Sequence, residues 1–193
     1  MTVGVLRRRT LLLSAGALAL GARAARGQED SWAALRRGGH VAIMRHALAP
    51  GTGDPPGFRL DDCATQRNLS AAGRTQASRV GAAFRAHDVR PTRVLSSRWC
   101  RCLETARLLD LGEVEPFAPL DSFYEDRAAG PAQTEQALAA LLDLPPTETW
   151  VLVTHQVNVT ALTGVYPRSG QVVVARAGPG GLSVLGRLPP PST

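Results

Sequence analysis

The apolar residues of this chain fall into two patterns. Val41-Ala42-Ile43-Met44, Val94-Leu95 and Trp150-Val151-Leu152-Val153 are short, unbroken apolar runs, as expected of strands covered on both faces. Between them the apolar residues recur at helical spacing. Ser70 is a good N-cap for a helix through Arg85, with Ala77, Val80, Gly81 and Phe84 on one face. A second helix is predicted from about Trp99 to Leu109, and a third from Gln133 to Leu142, stopping before Pro145-Pro146. A fourth spans Val157 to Thr163, and a short one, Ser31 to Arg37, is stopped by Gly38-Gly39. Val114 to Phe117 reads as a third short strand; Gln171–Ala177 and Leu182–Leu188, joined by Gly178-Pro179-Gly180-Gly181, read as a terminal hairpin. Strands alternating with helices predict a three-layer α/β/α domain with a mainly parallel sheet and a C-terminal antiparallel hairpin. No internal repeat or linker divides it, so residues 28–189 are expected to form one domain.

The first 24 residues stand outside this pattern. Arg7-Arg8-Arg9-Thr10 leads into an apolar stretch from Leu11 to Leu20 and then the small-x-small sequence Ala22-Arg23-Ala24. That is the form of a cleavable export signal, and the arginines before Thr10-Leu11-Leu12 look like the twin-arginine type rather than an ordinary secretory signal. The run is shorter than the roughly 20 residues a permanent membrane span needs, so no stable membrane insertion is expected. A periplasmic or secreted protein follows.

Removing the signal also changes the charge. The formal charge of +6 includes four arginines of residues 1–24; without them 18 basic residues face 16 acidic ones, or +2. Nucleic-acid binding therefore has no compositional support. All 22 basic residues are arginine, which excludes Schiff-base lysines and the lysine of a P-loop.

Three cysteines, Cys63, Cys100 and Cys102, suggest one disulfide and one free thiol in an oxidising compartment, with Cys63 bridged to one of the other two. Cys-x-Cys with a distant third Cys and no nearby His is poor zinc spacing, and no metal or cofactor is expected.

The chemistry concentrates where the buried strands end. One runs into Arg45-His46 and another into Thr154-His155, and the C-terminal edge of such a sheet is where ligands sit. A third piece, Leu95-Ser96-Ser97-Arg98-Trp99-Cys100-Arg101, reads as strand, turn and helix start. Its free backbone N–H groups, dipole and arginines suit an anion. The segment from Ala49 to Asp62, rich in Pro and Gly, is a loop expected to overhang the strand ends.

These pieces resemble the histidine phosphatase superfamily, which has the phosphoglycerate-mutase-like fold. Arg45-His46-Ala47 resembles its Arg-His-Gly motif, and Leu69-Ser70-Ala71-Ala72-Gly73-Arg74-Thr75-Gln76-Ala77 its Leu-Thr-x-x-Gly-x-x-Gln-Ala helix start. Ser97 to Ala106 is similar to its Ser-x-x-x-Arg-x-x-x-Thr-Ala segment, and Val153-Thr154-His155 to its second-histidine strand. The matches span residues 40 to 165 in the family's order.

The resemblance implies a metal-independent phosphomonoesterase of the smaller, mutase-like branch. His46 would be the nucleophile that becomes phosphohistidine, and Arg45, Arg101 and His155 would hold the phosphoryl oxygens. The family's carboxylic acid follows the third strand, where Glu125 is the first choice, Asp126 the second and Asp121 the third. Arg98 is an alternative phosphate ligand to Arg101, and Asn158 either lines the pocket or caps its helix. Ala47 in place of Gly would narrow the backbone approach to substrate. Cys102 stands where the pattern usually has Ala, which makes Cys63–Cys100 the expected bridge. The implied partner is a phosphorylated small molecule or an envelope phosphate group, with oligomeric state left open. A mutase of the same fold and a non-catalytic phosphate-binding domain are the alternative functions.

Overall fold

The structure is a computed structural model that describes residues 25–191; the expected export signal lies outside them. Helix α1 covers residues 25–37 and reaches further back than the short helix expected from Ser31. Strand β1 (His40–Arg45) follows, then α2 (Ala71–Ala86), β2 (Arg93–Ser96), α3 (Cys100–Leu109) and β3 (Val114–Pro116). The chain continues through α4 (Gly130–Leu142), β4 (Thr149–Thr154), α5 (Gln156–Thr163), β5 (Val172–Gly178) and β6 (Gly181–Leu188). Pro131 lies in the first turn of α4, where its missing N–H costs nothing, so that helix starts three residues before the apolar pattern announces it.

The six strands order as β3-β2-β4-β1-β5-β6. β1, β2, β3 and β4 run parallel, while β5 is antiparallel to β1 and β6 to β5. The unbroken apolar runs have the expected cause, because alternate residues feed opposite layers. Ala42, Met44, Val151 and Val153 pack with Trp32, Val80, Phe84, Cys102 and Leu109 beneath α1, α2 and α3. Val41, Ile43, Trp150 and Leu152 pack with Ala137, Leu141, Val159 and Leu162 beneath α4 and α5.

This topology positions the site. β1 and β4 are neighbours in parallel register, with Met44 opposite Val153 and Arg45 opposite Thr154, so His46 and His155 leave the same sheet edge side by side. The backbone N–H of His46 donates to the carbonyl of Thr154 at 2.8 Å, extending the ladder to His46 itself. Ser70 caps α2 by accepting from the Gly73 N–H at 3.0 Å. A side chain on Gly73 would collide with the carbonyl of Leu48, so glycine there lets α2 pack directly against the chain leaving β1.

Candidate active site

A cavity of about 340 Å³ opens at the C-terminal edge of the parallel strands. Arg45, His46, Arg101 and His155 all line it, as do Glu125 and Asp126. Both imidazoles are buried, with ring centroids 5.6 Å apart.

The hydrogen bonds fix which nitrogen of each ring is free. His46 Nδ1 lies 2.7 Å from the carbonyl oxygen of Ala47. A carbonyl only accepts, so the proton sits on Nδ1 and Nε2 keeps its lone pair. Burial first, then the charges of Arg101, Arg45 and Arg67, lower the His46 pKa to about 3. The ring is neutral across the physiological range and its Nε2 is a competent nucleophile.

His155 Nε2 is 2.8 Å from Ser97 Oγ, and Ser97 donates to Asp121 at 3.3 Å. Ser97 has one proton and gives it to a carboxylate, so His155 donates from Nε2 and keeps a lone pair on Nδ1, 3.5 Å from Arg101 Nη2. Burial, followed by Arg101, His46, Arg67 and Arg45, holds His155 well below its ordinary pKa.

The arginines carry the strongest indication of a ligand. Among the described residues, Arg45 Nε and Arg101 Nε are buried donors without a hydrogen-bond partner. An orphaned buried donor costs about 1–3 kcal/mol, so two in one cavity mark a place for an acceptor. A tetrahedral oxyanion meets that requirement, and guanidinium edges suit it.

The sequence alone did not reveal three further contributors. Arg67 lines the cavity as a third guanidinium, held by bonds from Nε to the Gly53 carbonyl and from Nη1 to the Ala49 carbonyl, both 2.6 Å. Asp54, the one charged residue between Pro50 and Gly57, lines it from the overhanging loop. Ser97 orients His155. An isolated charge within a Pro/Gly segment facing a strand end was the available signal for Asp54; Arg67 has no periodicity to betray it.

Other residues lie elsewhere. Arg98 does not line the cavity: its Nε and Nη2 donate to Asp121 Oδ2 at 2.7 and 2.6 Å. Asp121 is buried and also accepts from the Arg98 N–H and Ser97, so it is a bracket beneath His155 and not a rim carboxylate. Asn158 is buried outside the lining and donates to the Asp121 carbonyl at 3.0 Å. Ala47 is packed with Ala49, Leu69 and Ala77, outside the lining, so its methyl does not narrow the cavity as the sequence suggested.

The start of α3 also departs from expectation. The N–H groups of the turn leading into it and of its first residue are occupied rather than free: Arg98 donates to Asp121, Trp99 to Ser97 and Cys100 to Gln66 Oε1. Side chains therefore supply the charge that the helix terminus was expected to provide. Cys63 and Cys100 form a disulfide, and Cys102 is the free, buried thiol, with burial raising its pKa to about 12.

The fold and this constellation define a class. Residues 41–128 match the family model of the histidine phosphatase superfamily (branch 1). The SixA protein of Agrobacterium tumefaciens shares the fold at 20% identity, with 78% of this chain and 98% of that one covered and a TM-score of 0.55. Protein histidine phosphatase SixA complexed with tungstate aligns over 78% and 97% at 15% identity with a TM-score of 0.57. The alpha-ribazole phosphatase of Shigella flexneri aligns over 75% and 94% at 16% identity with a TM-score of 0.55. No curated protein sequence matches the chain.

Proposed function

We propose that this protein is an exported phosphomonoester hydrolase working through a phosphohistidine at His46. The observation that carries the reading is the pair of buried, unpartnered Nε–H donors of Arg45 and Arg101 in the cavity lined by His46. The tungstate held by SixA is an oxyanion of the same shape as a phosphoryl group.

The proposed reaction has two steps. The His46 Nε2 lone pair attacks phosphorus, the ester P–O bond breaks, and Glu125 gives its proton to the leaving oxygen, with Asp126 as the second candidate. Water then attacks phosphorus, the P–N bond breaks back to His46, and the water proton returns to the carboxylate. Arg45, Arg67 and Arg101 stabilise the charge on the phosphoryl oxygens, with His155 beside them, so the charge is met by side chains without a metal ion. Arg98 and Asn158 act at one remove through Asp121.

Export rests on residues 1–24 and on the Cys63–Cys100 bridge, which suits an oxidising compartment. Among the described residues no helix is long and apolar enough to cross a membrane. A panel of phosphomonoesters offered to the purified protein tests the function. Release of inorganic phosphate, lost in His46→Ala, is expected. Transfer of phosphate between hydroxyls without release would make it a mutase, and inertness toward the whole panel would make it a binding domain.

A further inference from the structure

Asp54 is held more completely than an exposed loop residue needs to be. Its Oδ1 accepts from Arg101 Nη1 at 2.7 Å and from the Arg67 N–H at 3.0 Å; its Oδ2 accepts from Arg101 Nη2 and from the Trp99 indole N–H, both at 3.0 Å. The Asp54 and Arg101 side chains are 4% and 3% exposed, although the loop around them is built of Pro50, Gly51, Gly53, Pro55, Pro56 and Gly57. Burial works against the carboxylate's charge, but the bonds from Arg101, Arg67 and Trp99 outweigh it and lower its pKa, so the pair is ionic.

The orientation of the contact matters. A guanidinium has an end-on fork, Nη1 with Nη2, and a side edge, Nε with Nη2. Asp54 takes the end-on fork, and the Arg67 carbonyl takes a further bond from Nη1 at 3.3 Å. The side edge is left with Nε unpartnered and Nη2 facing His155 Nδ1. A carboxylate occupying the anion position itself would have left no orphaned donor there.

We propose that Asp54 is a positioning residue, gripping the end-on fork of Arg101 so that its Nε edge is presented to the phosphoryl group. The inference rests on the hydrolase reading for its catalytic consequence. Asp54 also ties the roof of the cavity to its charge. Arg67 binds Gly53 and Ala49 while its backbone binds Asp54, so the loop and two of the three guanidiniums form one hydrogen-bonded unit. At Gly53, with φ of +70°, a side chain would begin 3.8 Å from Glu125 Oε1, so the loop passes beside the carboxylate proposed as the acid. The same bonds therefore hold the loop and the cradle.

The test uses the intact protein and orthovanadate as a probe that needs no turnover. Asp54→Asn and Asp54→Ala should each lose about ten- to a hundredfold in kcat/KM and in orthovanadate affinity by calorimetry, the scale of a displaced charge-stabilising group. In an Arg101→Ala background Asp54→Asn should cost at least several-fold less than in the wild type, because the larger part of its effect runs through that arginine. Should Asp54→Ala not fold, the near-isosteric Asn and the longer Asp54→Glu carry the measurement. Unchanged or tighter orthovanadate binding in Asp54→Asn overturns the proposal, the tighter case making the carboxylate a competitor of the anion. An equal further loss in the Arg101→Ala background also overturns it. A wild-type protein that binds orthovanadate but hydrolyses nothing overturns the hydrolase reading alone; one that does not bind it overturns both.

Discussion

The cavity has a floor and a roof that are built differently. The floor is the strand edge, where Arg45, His46 and His155 are placed by the parallel register of β1 and β4 and by apolar packing on both faces. The roof is the segment from Ala49 to Arg67 with the first turn of α3, held by the Cys63–Cys100 bridge, the buried Asp54–Arg101 pair and the bonds of Arg67 to backbone carbonyls. The floor is covered on both sides and its backbone is paired. The roof has little apolar packing and depends on polar and covalent ties. Floor residues should therefore tolerate changes in the roof as structure, while the chemistry requires both.

Replacing Arg101 is the largest way to break this comparison. Arg101→Ala should lower kcat/KM by about 10²–10³-fold, as for removal of a preorganised charge donor. Arg98→Ala, three residues away, should leave kcat/KM within about threefold, since Arg98 reaches the site only through Asp121. Equal losses in the two variants would remove the distinction the structure draws between them.

The roof's covalent tie comes next. The bridge closes 37 residues, and the chain-entropy model assigns about 4 kcal/mol to a loop of that size. Cys63→Ser/Cys100→Ser should unfold at a lower temperature and lose activity before the sheet melts, seen as a gap between inactivation and loss of the circular-dichroism signal on heating. Coincident transitions would make roof and floor one cooperative unit.

A smaller effect belongs to the floor. His46, with a pKa near 3 when folded, takes a proton near 6.5 when unfolded, so between those values the unfolded chain binds more protons. Stability therefore falls as pH drops below about 6.5, by up to about 1.4 kcal/mol per pH unit for each such histidine. His155, lowered in the same direction, adds to the slope. Denaturant unfolding between pH 7 and pH 5 should show the decline, and His46→Gln should flatten it. A slope unchanged by that substitution would mean that His46 is not held neutral by the fold.

Floor and roof also differed in how well the sequence announced them. Val41-Ala42-Ile43-Met44 and Trp150-Val151-Leu152-Val153 are solid apolar runs because their residues feed two layers, and the histidines stand where those runs stop. That made the sheet, its helices and the floor of the site readable. Asp54 and Arg67 owe their positions to a folded loop whose bonds run to backbone carbonyls and to a residue 47 positions away, and hydrophobic periodicity carries no trace of such contacts. Arg98 and Arg101 are likewise set apart by contacts that the sequence does not display, Arg98 held by Asp121 away from the cavity and Arg101 by Asp54 at its lining. The turn into α3 has fewer free N–H groups than its sequence suggests for the same reason, since Asp121, Ser97 and Gln66 take those of Arg98, Trp99 and Cys100.

The central claim is that His46 Nε2 forms a bond to phosphorus. Rapid acid-free quenching of the enzyme with a phosphomonoester, followed by mass spectrometry of the peptide containing His46, reads it directly. The account predicts an acid-labile phosphoryl group on His46 that appears within one turnover and is absent in His46→Ala. Steady release of phosphate by a protein whose His46 never carries the group, or that persists in His46→Ala, would contradict it.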